Sequence, residues 1–354
     1  MSQETMKALV YHEPGKISLD DVPVPKINAP TDVIVKVTLS TICGSDIHIY
    51  QGGLSDVKYP KILGHEFCGE IIELGTAVED FKVGDKVAVS CLAYCGECFF
   101  CQEGFYAHCT EPSCGCFGVY APEGCQAEFV RLPYAEKCMY KIPEGLTEED
   151  VLFVGDILST GYYGAERAMI KTGDVVVVVG AGPVGMCAMI SARLFGSSQI
   201  IAVDTNQSRL DVALKEGIAD LALNPKDTDV VAKIKELTNG RGADRTIEAV
   251  GASPTMDLAV GAVRSGGVVS TIGVFEKSFE LHLERLWAMN IYLSMGFVPM
   301  NRVPQLMKLI EKGKINTKFL ITHRAPLNDI LEGYDIFGNK KDNCLKWLVT
   351  PYVR

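Results

Sequence analysis

Four cysteines spaced C-x2-C-x2-C-x7-C, namely Cys95, Cys98, Cys101 and Cys109, carry the densest chemical signal in this sequence. Thiolates at such short spacings wrap a tetrahedral ion without strain, which is how closed structural zinc sites are built. A redox C-x-x-C pair or an iron–sulfur cluster would draw on the same residue type. A second signal is Gly64-His65-Glu66 followed by Gly69, a histidine fixed by glycine turns at the start of a strand-like run. That rigidity suits a metal ligand, although a lone histidine also serves structure. A third is Gly180-Ala181-Gly182-Pro183-Val184-Gly185, directly after five valines and opening a helical segment. There the first glycine makes the tight turn, the second lets the backbone approach a pyrophosphate, and the third lets helix pack on strand. The following strand ends at Asp204, 19 residues after Gly185. A carboxylate at that distance can bind both ribose hydroxyls and repel a 2′-phosphate, which favours NAD; the same residue could instead cap a turn.

These residues need a scaffold of two kinds. Residues 6 to about 40 read as short β-branched or alternating strands punctuated by Pro14, Pro23, Pro25 and Pro30, and the β texture resumes at Ala127-Glu128-Phe129-Val130. Near Thr147-Glu148-Glu149 a cap-type residue followed by acids signals a helix start. From Val175 strands alternate with helix-length segments, including a helix from Gln207 to Glu216, which implies an α/β fold with a doubly wound parallel sheet. The rhythm breaks after about residue 291, at IYLSMGFVP, so the last 60 or so residues are expected to fold back onto the first domain. The 18 uncharged residues from Val175 to Ala192 have the length of a short membrane span. Their three glycines and a proline fit a buried strand, turn and helix better.

Bulk properties narrow the field. A chain of 354 residues has room for two domains, and a net charge of −10 without a basic cluster argues against nucleic acid or an anionic membrane as partner. The opening MSQETMKALVYHEPGK lacks the apolar core of an export signal, so a cytoplasmic location is expected. Thirteen cysteines in such a chain point to thiols and metal ligands more than to a disulfide framework.

Gly64-His65-Glu66, Gly69, Gly75, Val78, Gly84-Asp85 and Val87 together resemble the signature of the zinc-dependent alcohol dehydrogenases of the medium-chain dehydrogenase/reductase family, and similar features run from Met6 to the C-terminus. The resemblance implies a GroES-like, mostly-β catalytic domain over 1–154 and 292–354, with a structural zinc lobe at about 91–116, and a Rossmann domain over 155–291. It implies that Cys43, in Thr41-Ile42-Cys43-Gly44-Ser45-Asp46-Ile47-His48, and His65 hold a catalytic zinc. Asp156, flanked by Ser159-Thr160-Gly161-Tyr162, falls where many members carry a second cysteine. Glu66 either joins that zinc or stays beside it, and Asp46 steadies the histidine. Ser45 and His48 match a proton relay to the surface, against their blander readings as a turn hydroxyl and an exposed loop residue. On the same resemblance Thr160, Val250 and Val274 lie along the nicotinamide, Arg209 beside the adenosine ribose and Lys346 at the pyrophosphate. Cys91 aligns with a substrate-pocket position often filled by something bulkier, which leans the expectation toward secondary alcohols or diols.

The activity implied is reversible oxidation of an alcohol to a ketone or aldehyde with hydride transfer to NAD, by a zinc enzyme carrying two zincs per chain and assembled as a homotetramer or dimer. Rival readings are a formaldehyde dehydrogenase or dismutase, a polyol dehydrogenase, and a non-catalytic nucleotide-binding protein or a zinc-free quinone reductase on the same scaffold. The last two should have lost zinc ligands, and none is missing from the sequence.

Overall fold

The computed structural model describes residues 4–54 and 56–352; residues 1–3, which open the run read above for an export signal, lie outside it. The chain forms two compact units, Met1–Ser159 with Pro299–Arg354, and Thr160–Val298.

The first unit is organised around the strand Val33–Thr41, nearly all of whose residues are buried. Successive side chains of a strand point to opposite faces. Accordingly Val33, Val35 and Val37 pack with Phe67, Ile71, Val87, Val89 and Phe117 on one face, while Ile34 packs with Met6, Ala8, Val10 and Phe129 on the other. The strand pairs antiparallel with Phe67–Leu74, Phe129–Leu132 and Lys346–Thr350 within a seven-stranded sheet. A three-stranded sheet joins Thr5–Glu13 to Lys16–Pro23 and Lys61–Ile62. Thr147 caps the short helix Glu148–Val151, and Asp150 reciprocates by accepting the Thr147 N–H at 2.7 Å.

The second unit is a six-stranded parallel sheet. Its spatial order is Leu221–Leu223, Gln199–Val203, Val175–Val179, Ala243–Glu248, Val263–Thr271, Tyr292–Met295, the doubly wound arrangement with its order reversing beside the first strand. The valine run is buried at four of its five positions, as a central parallel strand requires. Among the described residues no helix is long and apolar enough to cross a membrane. Both boundaries of the second unit differ from expectation: it begins at Thr160 rather than at 155, which leaves Asp156 in the first unit. Tyr292–Met295 pairs in parallel with Val268–Thr271 and so closes the second sheet, and the unit runs on to Val298 rather than stopping at 291. A four-residue strand whose following helix, Val303–Glu311, belongs to the first unit breaks the strand–helix rhythm without leaving the sheet.

Candidate metal centres and dinucleotide turn

Three chain segments converge in the first unit. Cys43 follows the strand Val33–Thr41 and caps the helix Gly44–Tyr50, its N–H donating to Asp46 Oδ2 at 2.9 Å. His65 enters the strand Phe67–Leu74 from Gly64, whose φ of +95° favours glycine. Asp156 lies between the 3-10 turn Leu152–Gly155 and the helix Ile157–Arg167. All three side chains are buried, and their ligand atoms lie within 4.8 Å of one another.

The separations can be tested against zinc. Bonds of about 2.3 Å to sulfur and about 2.1 Å to nitrogen and oxygen at tetrahedral angles put sulfur and oxygen roughly 3.6 Å apart, and nitrogen and oxygen roughly 3.4 Å apart. Cys43 Sγ lies 3.7 Å from Asp156 Oδ2, and His65 Nε2 lies 3.3 Å from the same oxygen. Charge fits as well. Burial opposes a positive charge on His65, yet Asp46, Asp156 and Cys43 together raise its proton affinity well above the ordinary value. Burial likewise opposes ionisation of Asp156, yet His65 and Lys346 hold its carboxyl below its usual range. This pocket favours a cation. Ser45 Oγ sits 3.2 Å from His65 Nε2, and His48 is half-buried on the same helix. Cys91 is buried, with its thiol 3.8 Å from Met300 Sδ and facing Cys116 and Asp156.

Lys346 departs from expectation, and Glu66 is bound up with it. The Glu66 side chain is not among those converging with Cys43; its Oε2 accepts from Thr41 Oγ1 at 2.6 Å and from the Lys346 ammonium. Lys346, expected at a pyrophosphate, is instead 1% exposed and also donates to the Ile42 carbonyl at 3.2 Å. The reason is the cost of burying charge: a carboxylate sealed in the core needs a counter-ion, and the C-terminal strand supplies it. Burial opposes the ammonium, but Cys43 and Glu66 hold Lys346 protonated.

In the lobe, Cys95, Cys98, Cys101 and Cys109 also bring their sulfurs within 4.8 Å of one another. Cys95 Sγ is 3.5 Å from Cys109 Sγ and 4.0 Å from Cys101 Sγ, bracketing the roughly 3.8 Å edge of a four-sulfur zinc tetrahedron. Backbone N–H groups fold the chain around the sulfurs: Glu97 and Cys98 donate to Cys95 Sγ at 3.4 Å each, and Cys95 to Cys109 Sγ at 3.3 Å. N–H groups of Thr110 and Cys101 bring the Cys98 thiol down to about 6, whereas burial pushes Cys101 and Cys109 up. Cys68, Cys114, Cys116, Cys125, Cys138, Cys187 and Cys344 are buried outside both clusters.

In the second unit Gly182 caps the helix Pro183–Leu194, with Pro183 at its first position and Val184 half-buried behind it. A Cβ on Gly185 would stand 1.8 Å from the Gly180 carbonyl, so only glycine lets the helix come this close. Asp204 pins the turn: Oδ2 accepts from Ala181 N and Oδ1 from Asn206 N, both at 2.8 Å. Each oxygen keeps a second lone pair for a hydroxyl. Arg209 Nη1 is 4.0 Å from Asp204 Oδ2. Thr160 lies in the helix Ile157–Arg167, and Val250 and Val274 are 43% and 40% exposed on the loops after two central strands. Their positions depend on Glu248, which sequence reasoning missed. It is fully buried, with Oε1 accepting from Val250 N, Gly251 N and Thr255 Oγ1 and Oε2 from Thr271 Oγ1, all within 2.9 Å. An acid ending the strand-like segment Ala243–Glu248, just before Ala249-Val250-Gly251, was the available signal.

The chain is similar to known proteins along nearly its whole length. Residues 29–144 match the family described as Alcohol dehydrogenase GroES-like domain, and residues 183–312 the family described as Zinc-binding dehydrogenase. An alcohol dehydrogenase of Cupriavidus necator is 38% identical over 98% of this chain and 99% of its own length. A sorbitol dehydrogenase of Bacillus subtilis is 32% identical over 98% of each. The solved structure of zinc dependent alcohol dehydrogenase 2 from Streptococcus pneumonia, 37% identical, superposes with a TM-score of 0.93 over 99% of both chains. Sequence, fold and converging ligands give one answer: the chain belongs to the zinc-dependent alcohol dehydrogenases of the medium-chain dehydrogenase/reductase family, enzymes that use zinc and a nicotinamide cofactor.

Proposed function

We propose that this enzyme reversibly oxidises a secondary alcohol or diol to the ketone with NAD, using Cys43, His65 and Asp156 to hold a catalytic zinc and Cys95, Cys98, Cys101 and Cys109 to hold a structural one. The observation that carries the reading is the meeting of one sulfur, one imidazole nitrogen and one carboxylate oxygen at tetrahedral-edge separations. A dication held there would act as a Lewis acid and bring the pKa of an alcohol hydroxyl toward neutrality. The thiolate and carboxylate cancel the charge of that ion, and the buried His65 is locked toward it.

The reaction releases a hydride to the nicotinamide and a proton to water. Ser45, 3.2 Å from His65 Nε2, stands where it can accept the hydroxyl proton, and His48, three residues along the same helix, shares its face and reaches the surface. Asp204 supports NAD because both its oxygens are already fixed and anionic beside the turn that would carry the pyrophosphate. Arg209 is the residue through which a 2′-phosphate would be tolerated. The small Cys91 beside Asp156 leaves room for a second carbinol substituent, and the sorbitol dehydrogenase relative keeps polyols within the same class.

We read the enzyme as cytoplasmic and homo-oligomeric. The strand Tyr292–Met295 is a sheet edge with Tyr292 63% and Met295 60% exposed, next to Trp287 at 80%. Such an edge is a template for pairing with a second copy. The decisive experiment is an NADH-absorbance screen of primary, secondary and polyol substrates with both nucleotides. Turnover of secondary alcohols or diols with NAD supports the reading; turnover of aldehydes alone, or only with NADP, overturns it.

A further inference from the structure

Behind His65 runs a buried relay of side chains that lie outside the candidate ligand set and the dinucleotide turn. Tyr334, on the helix Ile330–Gly338, donates its hydroxyl to Gln126 Oε1 at 2.8 Å. The Gln126 amide nitrogen then donates to the Thr41 carbonyl at 2.9 Å and to Asp46 Oδ2 at 3.0 Å. Asp46 Oδ2 also receives the Cys43 N–H, while Asp46 Oδ1 lies 3.4 Å from His65 Nδ1. Tyr334, Gln126, Asp46 and His65 are each 4% exposed or less.

Donor and acceptor accounting gives this chain a direction. The Thr41 carbonyl can only accept, so the group facing it must be the Gln126 amide nitrogen; the reverse orientation would set an oxygen against two acceptors. Gln126 therefore spends one N–H on the backbone and the other on Asp46, and its oxygen needs the Tyr334 hydroxyl. With two donors on Oδ2, Asp46 is left with Oδ1 for the imidazole. Asp46 Oδ1 and His65 Nδ1 are both buried with no other partner among the described residues, so the proton between them belongs on Nδ1. That leaves the lone pair on Nε2, the nitrogen facing Asp156 and Ser45.

The surroundings hold the relay rigid. Gln126 is anchored at its backbone, accepting from Leu9 N at 2.8 Å and donating to Leu63 O at 2.9 Å. A Cβ on Gly64 would lie 2.6 Å from Gln126 Cγ, so the glycine before the histidine also makes room for the glutamine. Tyr334 packs among Ile42, Trp347 and Tyr50, and burial with the Asp46 charge keeps its phenol protonated.

We infer that Gln126 and Tyr334 are positioning residues that act through Asp46 to present the Nε2 lone pair of His65 to the catalytic metal. The inference rests on the reading of His65 as a ligand, so its test must separate the two. Zinc-loaded enzyme is titrated with a competing chelator, and zinc retained per chain is followed at both sites, the four-cysteine site serving as internal control for folding. Gln126→Met, close in shape but without donors, is expected to weaken the Cys43–His65–Asp156 site by about tenfold, and Tyr334→Phe by a few-fold, with the four-cysteine zinc unmoved. Asp46→Asn should weaken the same site, and adding Gln126→Met to it should weaken it no further, a non-additivity that loss of packing alone would not produce.

Wild-type zinc affinity in both Gln126→Met and Tyr334→Phe overturns the inference, as does full additivity with Asp46→Asn. Should Gln126→Met fail to fold, Tyr334→Phe, which removes one oxygen, decides the question in the same way. His65→Ala separates the readings. Retention of both zincs there defeats the ligand assignment itself, whereas loss of one zinc there beside wild-type affinity in the relay variants defeats only the relay.

Discussion

Replacing Lys346 by methionine distinguishes two roles for one cation. In the structure its ammonium is sealed in the core, 1% exposed, against a Glu66 that is 0% exposed. Methionine fills similar space but leaves the carboxylate without a counter-ion, and breaking a buried pair from one side costs about 3–5 kcal/mol. Each kcal/mol lowers the Tm of a unit of this size by roughly 2–4 °C, so a fall of roughly 6–20 °C is expected by calorimetry. Glu66→Gln introduced into the same chain removes the stranded charge, and the double variant should recover most of the loss. The KM for NAD should change little by comparison. A Tm within a degree of wild type together with a tenfold rise in that KM would refute the reasoning and return Lys346 to the pyrophosphate.

Three further outcomes follow from the geometry. Asp156→Ala should abolish alcohol oxidation and release one zinc per chain while nucleotide still binds by calorimetric titration; an active variant would mean that a different third ligand is used. Glu248→Ala leaves the Val250 and Gly251 N–H groups and the Thr271 hydroxyl without their acceptor, whereas the Thr255 hydroxyl keeps the Ala252 carbonyl; at about 1–3 kcal/mol for each group that water cannot reach, urea unfolding should move to distinctly lower concentration. Asp244 gives a pH dependence: burial opposes its charge, but the Val175 N–H and Arg264 outweigh it and hold the carboxyl below its usual range. Its stabilisation is therefore present above the unfolded-state value of about 3.9 and disappears as pH falls through the lower folded value. Thermal melts of wild type and Asp244→Asn should differ at pH 7 and draw together as pH falls below the unfolded-state value.

Residues whose work is local were the legible ones. The glycine turn at 180–185, the cysteine lobe and the cap at Thr147 follow from spacing alone, because their partners lie within a few residues. The candidate metal centre draws Cys43, His65 and Asp156 from across more than a hundred residues, and each could be singled out only because it sits in its own recognisable flank. Gln126 and Tyr334 have no such flank. A single hydrogen bond joins them across 208 positions, and nothing near either residue advertises it. Lys346 differs again: its place in the last strand is readable, but where its ammonium points depends on Glu66, which lies 280 residues earlier. Tyr292–Met295 reads wrongly from sequence because four residues of alternation are too few to tell an edge strand from the start of a new domain.

The pairing of Lys346–Thr350 with the strand Val33–Thr41 sets an order of events during synthesis. The second unit occupies one unbroken stretch, so it can complete its sheet as soon as its own residues emerge from the ribosome. The first unit is interrupted by that stretch, and its central strand waits for a neighbour made some three hundred residues later. Until then Glu66 has no ammonium to meet, and a nascent chain would carry a finished nucleotide-binding half beside a metal-binding half still open to chaperones and proteases.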